Sequence, residues 1–392
     1  MNMIAKAKTT WQEDKIGNLL LKLKRQKKIK RSEYLDSGLY SIIDQGDNLI
    51  GGYTNDESYL FDGDLPMTIF GDHTRRFKYI DFPFAIGTDG TQLLVPKKEM
   101  DRRFFYYALN NASLKNYGYQ RHFKYLKDTK ISFPADKKTQ REISYVLGSY
   151  DDLIENNTKR IKILEEMAQA IYMEMFTSQA SKKWEIVALR DVIESYTGGG
   201  WGKEEPDENY SGPAYVIRGT DIPRATNGDI SICPLRYHTL SNLRARVLQD
   251  GDLVFEVSGG SKGQPVGRSL LITNKLLGQF KQNVICASFC KLIRPNQNKI
   301  SPLQLYEQVL SWYTNGVIEK YQVQSTGISN FKFESFIDEE KITLPQEKVR
   351  EKFDHLVSPL FDEIYSLGSQ NQNLCQARDL LLPKLVTGEI QI

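Results

Sequence analysis

The stretch GDLVFEVSGG, residues 251–260, has an echo far upstream, where residues 63–71 read GDLPMTIFG. Both follow the order Gly-Asp-Leu, five residues, Gly, and they stand 188 residues apart. Working outward from this pair brings in three more, in the same order along the chain. Trp11 opens WQEDKIGNLLLKL and Trp184 opens WEIVALRDVIESY. Tyr40 opens YSIIDQGD and Tyr215 opens YVIRGTDI. Ile131 opens ISFPADKKTQREISYVLGSYDDLI and Ile342 opens ITLPQEKVREKFDHLVSPLFDEIY, with Pro134 against Pro345, Val146 against Val357, Tyr150 against Phe361 and Asp151 against Asp362. The offset grows from 173 at the Trp pair (184 − 11) to 211 at the last pair (342 − 131), so the second copy carries insertions. A repeat this long is a duplicated domain rather than a solenoid.

Composition sets the class. The chain has 392 residues, 40% hydrophobic and 26% charged, which suits a soluble protein of two or three domains. No run of about 18 apolar residues reads as a membrane span. MNMIAKAKTTWQEDK has no apolar signal core, so a cytoplasmic location is expected. Cys286 and Cys290 are spaced C-x3-C without a second ligand pair, and with Cys233 and Cys375 they read as reduced, largely buried thiols rather than a zinc site. Net charge is only +3, but the basic residues are clustered. LKLKRQKKIKR, 21–31, holds seven Lys and Arg, and GDHTRRFKY, 71–79, and KKEMDRRFF, 97–105, add more. One such run is ordinarily a solvated face; several in one copy point to a polyanion partner.

Two textures alternate along the chain. LYSII, LPMTIF and TQLLVP in the first copy, and AYVIRGTDI, DLVFEVS, SLLITN and FCKLIRP in the second, read as short strands broken by turn residues. MDRRFFYYALNNASL, 100–114, and SPLQLYEQVLSWYTNG, 301–316, read as helices, the second opened by Ser and Pro. Between and after these blocks the spacing changes. Apolar residues fall at 143, 146, 150 and 153, then at 161, 164, 168, 171 and 175, the seam of a long packed helix. Asn157 interrupts that seam, as in a stutter. In the tail Phe353, Val357, Leu360, Ile364, Leu367, Leu374 and Leu381 form a second stripe, interrupted at Asn371 and expected to end at Pro383. The spacing therefore predicts an α+β protein: two mixed α/β domains, 1–133 and 181–344, separated by two long antiparallel helices, 134–180 and 345–392, with pseudo-two-fold symmetry.

A search for chemistry returns little. TGGGWGKE, 197–204, lacks the first Gly of a P-loop and has Glu204 where a hydroxyl is needed. No Gly-rich dinucleotide fingerprint, Gly-x-Ser-x-Gly elbow or Asn/Asp-Pro-Pro-aromatic run occurs, and His73, His122, His238 and His355 lie far apart. Asp252 and Glu256 imitate part of a nuclease carboxylate pair, but no Lys stands two residues after Glu256, and Asp252 reads as a turn before a strand. No catalytic residue and no metal site is expected; the chain reads as a recogniser.

The residues then resemble a family. LLLPKLVTGEI, 380–390, is similar to the closing segment of the specificity subunits of type I restriction–modification systems, and Pro134 to Phe176 resembles their central region. GDLVFEVSGG resembles their G-D-[LI]-[LV]-x-[ST]-x-x-G block. The first copy departs from the pattern, with Ile69 and Phe70 in LPMTIFGD and with YGYQRHFKYLKD, 117–128, in place of a small-residue loop that survives better as STGISNFKFESF, 325–336. The resemblance implies a target-recognition domain, a helix, a second such domain and a second helix. It implies double-stranded DNA as ligand, each domain reading half of a split site, with the centres of the halves roughly one helical turn, about 10 bp, apart. It further implies two methyltransferase subunits and restriction/translocase subunits as partners. S-adenosylmethionine, ATP and Mg2+ would belong to those partners, with no cofactor in this chain. For DNA contact the candidates are Arg75, Arg76, Lys78, Arg121 and Lys124 in the first copy, and Lys203, Arg218, Lys262, Gln264, Arg268 and Lys332 in the second, since Arg pairs with guanine and Gln with adenine. For partner docking they are Leu381, Leu382, Pro383 and Leu385, apolar residues at a chain end. Two rival readings stand beside this one: a specificity subunit whose partner fuses methylation and cleavage, and a duplicated scaffold or adhesion module with no DNA role.

Overall fold

The computed structural model describes residues 9–24, 26–88, 90–114, 121–178, 184–259, 265–325 and 328–392. The chain divides into two units, residues 1–152 with 375–392, and residues 153–374.

In the first unit the strand Met67–Gly71, which follows Gly-Asp-Leu, is flanked antiparallel by Phe77–Ile80 and Thr91–Leu94. All five of its residues are buried. A second sheet pairs Tyr40–Ile43 parallel with Phe84–Ile86 and antiparallel with Gly52–Thr54. A two-stranded ribbon joins Trp11–Lys15 to Lys130–Pro134, with Trp11 opposite Pro134. The helix Arg102–Asn111 starts where the Asp101 carboxylate accepts from the amides of Arg103 and Phe104, a side-chain cap. It lays Phe104, Phe105, Tyr107 and Leu109 into a core shared with Ile143, Leu147, Leu385 and Val386 of the long helices.

The second unit repeats each of these sheets. The strand Leu253–Glu256 is flanked antiparallel by Ser269–Leu271 and Cys290–Pro295. Gly212–Ile217 pairs parallel with Asn283–Cys286 and antiparallel with Leu235–His238. Glu185–Ala188 and Lys341–Leu344 form the ribbon. The second unit extends the plan: Ile193–Gly198 joins the outer edge of Cys290–Pro295, and Ser258–Gly259, Ile328–Phe331 and Gln322–Ser325 make a further sheet. In each copy the strand that follows the opening motif is gripped by two antiparallel neighbours. Asp252 makes the turn expected of it, its carboxylate accepting from the Gln249 amide at 2.7 Å. Buried Cys286 and Cys290 belong to this unit's core, and burial pushes the Cys286 thiol up to about 12.

Two long helices run Lys137–Met173 and Glu347–Thr387. In the second unit their segments are antiparallel, since Asn157 meets Asn371, Arg160 meets Glu363 and Phe176 meets Phe353. The Phe176 and Phe353 rings stand edge to face at 4.9 Å. Asn157, buried, donates its side-chain amide to Asn371 at 3.0 Å, so the residues that interrupt the two stripes satisfy one another. In the first unit Arg378 donates to Asp151 at 2.6 Å.

The structure corrects the stripes in two respects. Leu153 is 50% exposed, whereas Tyr172, Phe176, Phe361 and Tyr365 are buried. Aromatic rings reach cores that a seam of fixed steps passes by. Pro383 does not end the tail helix, which runs on to Thr387. Proline removes one donor and leaves one carbonyl, on Asp379, unpaired in the helix; that residue is exposed, where water can satisfy it. The helix stops instead at Gly388, at φ 80°, where a Cβ would lie 2.4 Å from the Trp11 ring.

One buried acid makes the second unit sensitive to pH. Glu307, in the helix Pro302–Thr314, is 1% exposed and its Oε2 has no hydrogen-bond partner among the described residues. Burial, with the Glu165 charge adding to it, pushes its carboxyl up to about 8. Burial likewise lifts Glu165 to about 7. A folded-state value above the ordinary carboxylate value means that the unfolded chain loses the proton first. Stability should therefore fall as pH rises from about 4.5 through about 8. Thermal melts across that range should show the decline, and E307Q should flatten it.

Candidate nucleic-acid interface

The basic run of the first unit is held by its ends. The Leu21 amide donates to the Val95 carbonyl at 2.8 Å and the Ile29 amide to the Ile86 carbonyl at 2.9 Å. Between these clamps the chain crosses the unit's surface and leaves Lys22, Lys24 and Lys27 exposed. With Lys28 and with Lys127 of the helix Phe123–Asp128 they line a concavity of about 930 Å³ whose lining, among the described residues, includes no carboxylate. Lys27 lies over the Tyr59 ring at 3.8 Å and Lys127 over Phe123 at 5.0 Å, so aromatic faces fix two of the ammonium groups. A cradle lined by five lysines suits a polyanion. The charge run was visible in the sequence; the convergence of Lys127 onto it was not, because about 100 residues separate them in the chain.

Of the candidates in the first copy, Arg121 and Lys124 are exposed at the start of that same short helix, whose Phe123 amide is capped by the buried Asp72 carboxylate at 2.7 Å. Arg75 and Arg76 sit elsewhere, in the turn after Gly71, where Arg75 takes φ 59° and Arg76 pairs with Asp47 at 3.2 Å on the surface. Lys78 is an interior residue, 6% exposed. Its ammonium donates to the Asp44, Asn48 and Leu49 carbonyls and lies 3.8 Å from the Asp44 carboxylate. Burial holds its pKa below the usual lysine value, with Asp44 opposing. It organises the 44–49 loop and does not face solvent.

In the second unit three arginines neutralise three buried acids. Arg268 grips Glu256 at 2.6 and 2.8 Å, Arg294 grips Asp252 at 2.7 and 2.8 Å, and Arg218 grips Asp221 at 2.8 and 2.9 Å. The Glu256 and Asp252 side chains are 2% and 1% exposed. Neither acid of GDLVFE is thus available as a nuclease carboxylate, and Arg268 is committed to a structural pair. Arg218 is more open, with 39% of its side chain exposed. Lys203 is exposed, lying over the Tyr210 ring at 4.4 Å and pairing with Asp207 at 2.5 Å, which raises its pKa. Lys332 is exposed just before the helix Phe333–Glu339. Lys262 and Gln264 lie outside the described residues.

The docking candidates divide. Leu385 is 3% exposed and belongs to the first unit's core, and Leu381 and Leu382 pack against that core. Pro383 is exposed. The open apolar residue of this stretch is its neighbour Leu380, at 70%. The sequence stripe missed it because helical phase, not hydrophobicity, decides which leucine faces inward.

Residues 8–166 match the family described as the type I restriction modification DNA specificity domain. The chain is similar to the specificity subunit of the type I restriction enzyme MjaIX from Methanocaldococcus jannaschii, 24% identical over 300 residues, which is 68% of this chain and 62% of that relative. Among solved structures it is similar to the S subunit of a type I restriction–modification system from M. genitalium, with a TM-score of 0.59, 15% identity and 98% of each chain covered. At that identity the likeness is one of fold.

Two outcomes follow from the geometry. R268A leaves Glu256 buried without its partner and should cost about 3–5 kcal/mol, read as a fall in Tm, whereas E256L/R268M should recover most of it. K22A/K24A should leave Tm unchanged, weaken binding to any duplex, and flatten the log-affinity against log-salt slope by about 2.

Proposed function

We propose that the chain is a specificity subunit of a type I restriction–modification system, a reading supported by its similarity to that family, and that it is the non-catalytic DNA-reading component of such a complex, each unit reading one half of a split site. The observation that carries this reading is the duplication itself. Three sheets of the same connection and sense recur in the two units, so the chain holds two readers of one design. Two readers of one design suit a site of two separate halves. The lysine cradle of the first unit supplies the phosphate attraction that any duplex offers, and sequence is then read by side chains at base edges.

Partners follow from the same premise. Two methyltransferase subunits would dock on the long helices, and restriction/translocase subunits would complete the assembly. In the first unit Tyr145, Leu380 and Pro383 are exposed on those helices, and in the second Ile163, Met167 and Leu356 are. Apolar side chains on an exposed helix face are what a permanent partner covers. S-adenosylmethionine, ATP and Mg2+ would be held by those partners, in the cytoplasm.

A genome-wide map of adenine methylation, with and without this gene, tests the reading. Deletion should abolish one split motif and leave all others. Adding or removing turns in the long helices should change the gap between the halves and leave the half-site sequences intact. An unchanged map on deletion, in cells that express the complex, would sink the proposal.

A further inference from the structure

We infer that the second unit holds a pocket for the 5-methyl edge of a thymine, contacted by Phe289 and Trp201 and anchored by Arg218. The inference rests on the DNA-reading function proposed above and names the base chemistry that this unit detects.

Three strand ends build the pocket. Arg218 and Thr220 follow the strand Gly212–Ile217, Ser258 and Gly259 follow Leu253–Glu256, and Ala287 to Phe289 follow Asn283–Cys286. These segments and Trp201 enclose about 480 Å³ with a mainly apolar surface. Its two large rings are solvent-facing, Phe289 at 59% exposure and Trp201 at 40%. Neither is needed to fill a core.

Both rings are nevertheless held in place through their backbones. The Phe289 carbonyl accepts from the amides of Val257 at 2.9 Å and Ser258 at 3.2 Å. The Gly199 and Gly200 amides donate to the carbonyls of Cys290 and Cys286, tying the segment before Trp201 to the same turn. Gly202 follows at φ 73°, where a Cβ would lie 2.5 Å from the Tyr237 carbonyl oxygen. Exposed aromatic rings on a fixed frame lose little entropy when they bind.

Charge decides what enters. Arg218 lines the pocket, and the Arg236 guanidinium lies over the Trp201 ring at 4.7 Å. The nearby carboxylates are already paired: Glu256 with Arg268, Asp221 with Arg218, and Glu204 with Arg236 at 3.0 Å. Asp221 engages Nε and Nη2 of Arg218, and among the described residues Nη1 makes no hydrogen bond. An apolar hollow beside an arginine donor, with its acids neutralised, is complementary to the major-groove edge of DNA where thymine stands. The thymine 5-methyl is the apolar group that this groove displays, and it lies among hydrogen-bond acceptors that an arginine N–H can reach.

The test uses the full chain in its modification complex and duplexes carrying the mapped site. Each thymine is replaced in turn by deoxyuridine, which removes only the methyl group. At one position wild type should lose about fourfold in affinity, the size expected for one buried methyl. F289A should bind the thymine duplex with that lower affinity and no longer distinguish the two bases, while F289L should keep the distinction. Sequence-specific binding that ignores uracil at every position would overturn the inference. A uracil penalty that survives unchanged in F289A would overturn it too. Loss of all sequence specificity in the wild-type complex would instead count against the DNA-reading function itself.

Discussion

Helix length is the constraint on which the rest depends. A helix of 37 residues extends about 55 Å and one of 41 about 60 Å, with an apolar stripe along each. A globular unit of this size covers only part of such a stripe, so each unit takes one segment of each helix into its core. In the first unit Ile143 and Leu147 join Leu385 and Val386 beneath the helix Arg102–Asn111. In the second, Ile161, Ala168, Tyr172 and Phe176 join Phe353, Val357, Phe361 and Ile364. The Asn157–Asn371 hydrogen bond gives this second pairing a register, since a slip of one turn would leave the buried Asn157 amide without this partner.

The ribbons matter for the same reason. Trp11–Lys15 with Lys130–Pro134 closes the first copy directly before Lys137 begins a helix, and Glu185–Ala188 with Lys341–Leu344 does so before Glu347. Pro134 and Pro345 stand at or beside the last residue of each ribbon strand, where the chain leaves extended structure. Each copy therefore delivers its chain to a long helix from a fixed point.

Charge is handled differently in the two units. The second buries three acids against arginines, which fixes strands and turns and commits those arginines to structural pairs. The first suspends a lysine run between two backbone clamps and gathers five lysines around one concavity. A modest net charge of +3 thus conceals a strongly basic local surface.

Much of this was legible in the residues. The duplication, the two long helices, the helix start at Ser301 and the polar interruptions at Asn157 and Asn371 all appeared in spacing and order, because periodicity and turn chemistry are local properties. Contacts were not legible. Lys78 looked like one more basic residue after Gly71, yet its ammonium is spent on loop carbonyls inside the first unit. Arg268 looked like a base reader and instead pairs with a buried glutamate twelve residues before it. Phe289 and Trp201 carried no charge and drew no notice. Sequence by itself determined the repeat and the helices, since these follow from the order of residue types along the chain. Only the tertiary structure decided which cations are free and which aromatic rings stay exposed, since that depends on strands brought together from distant parts of the chain.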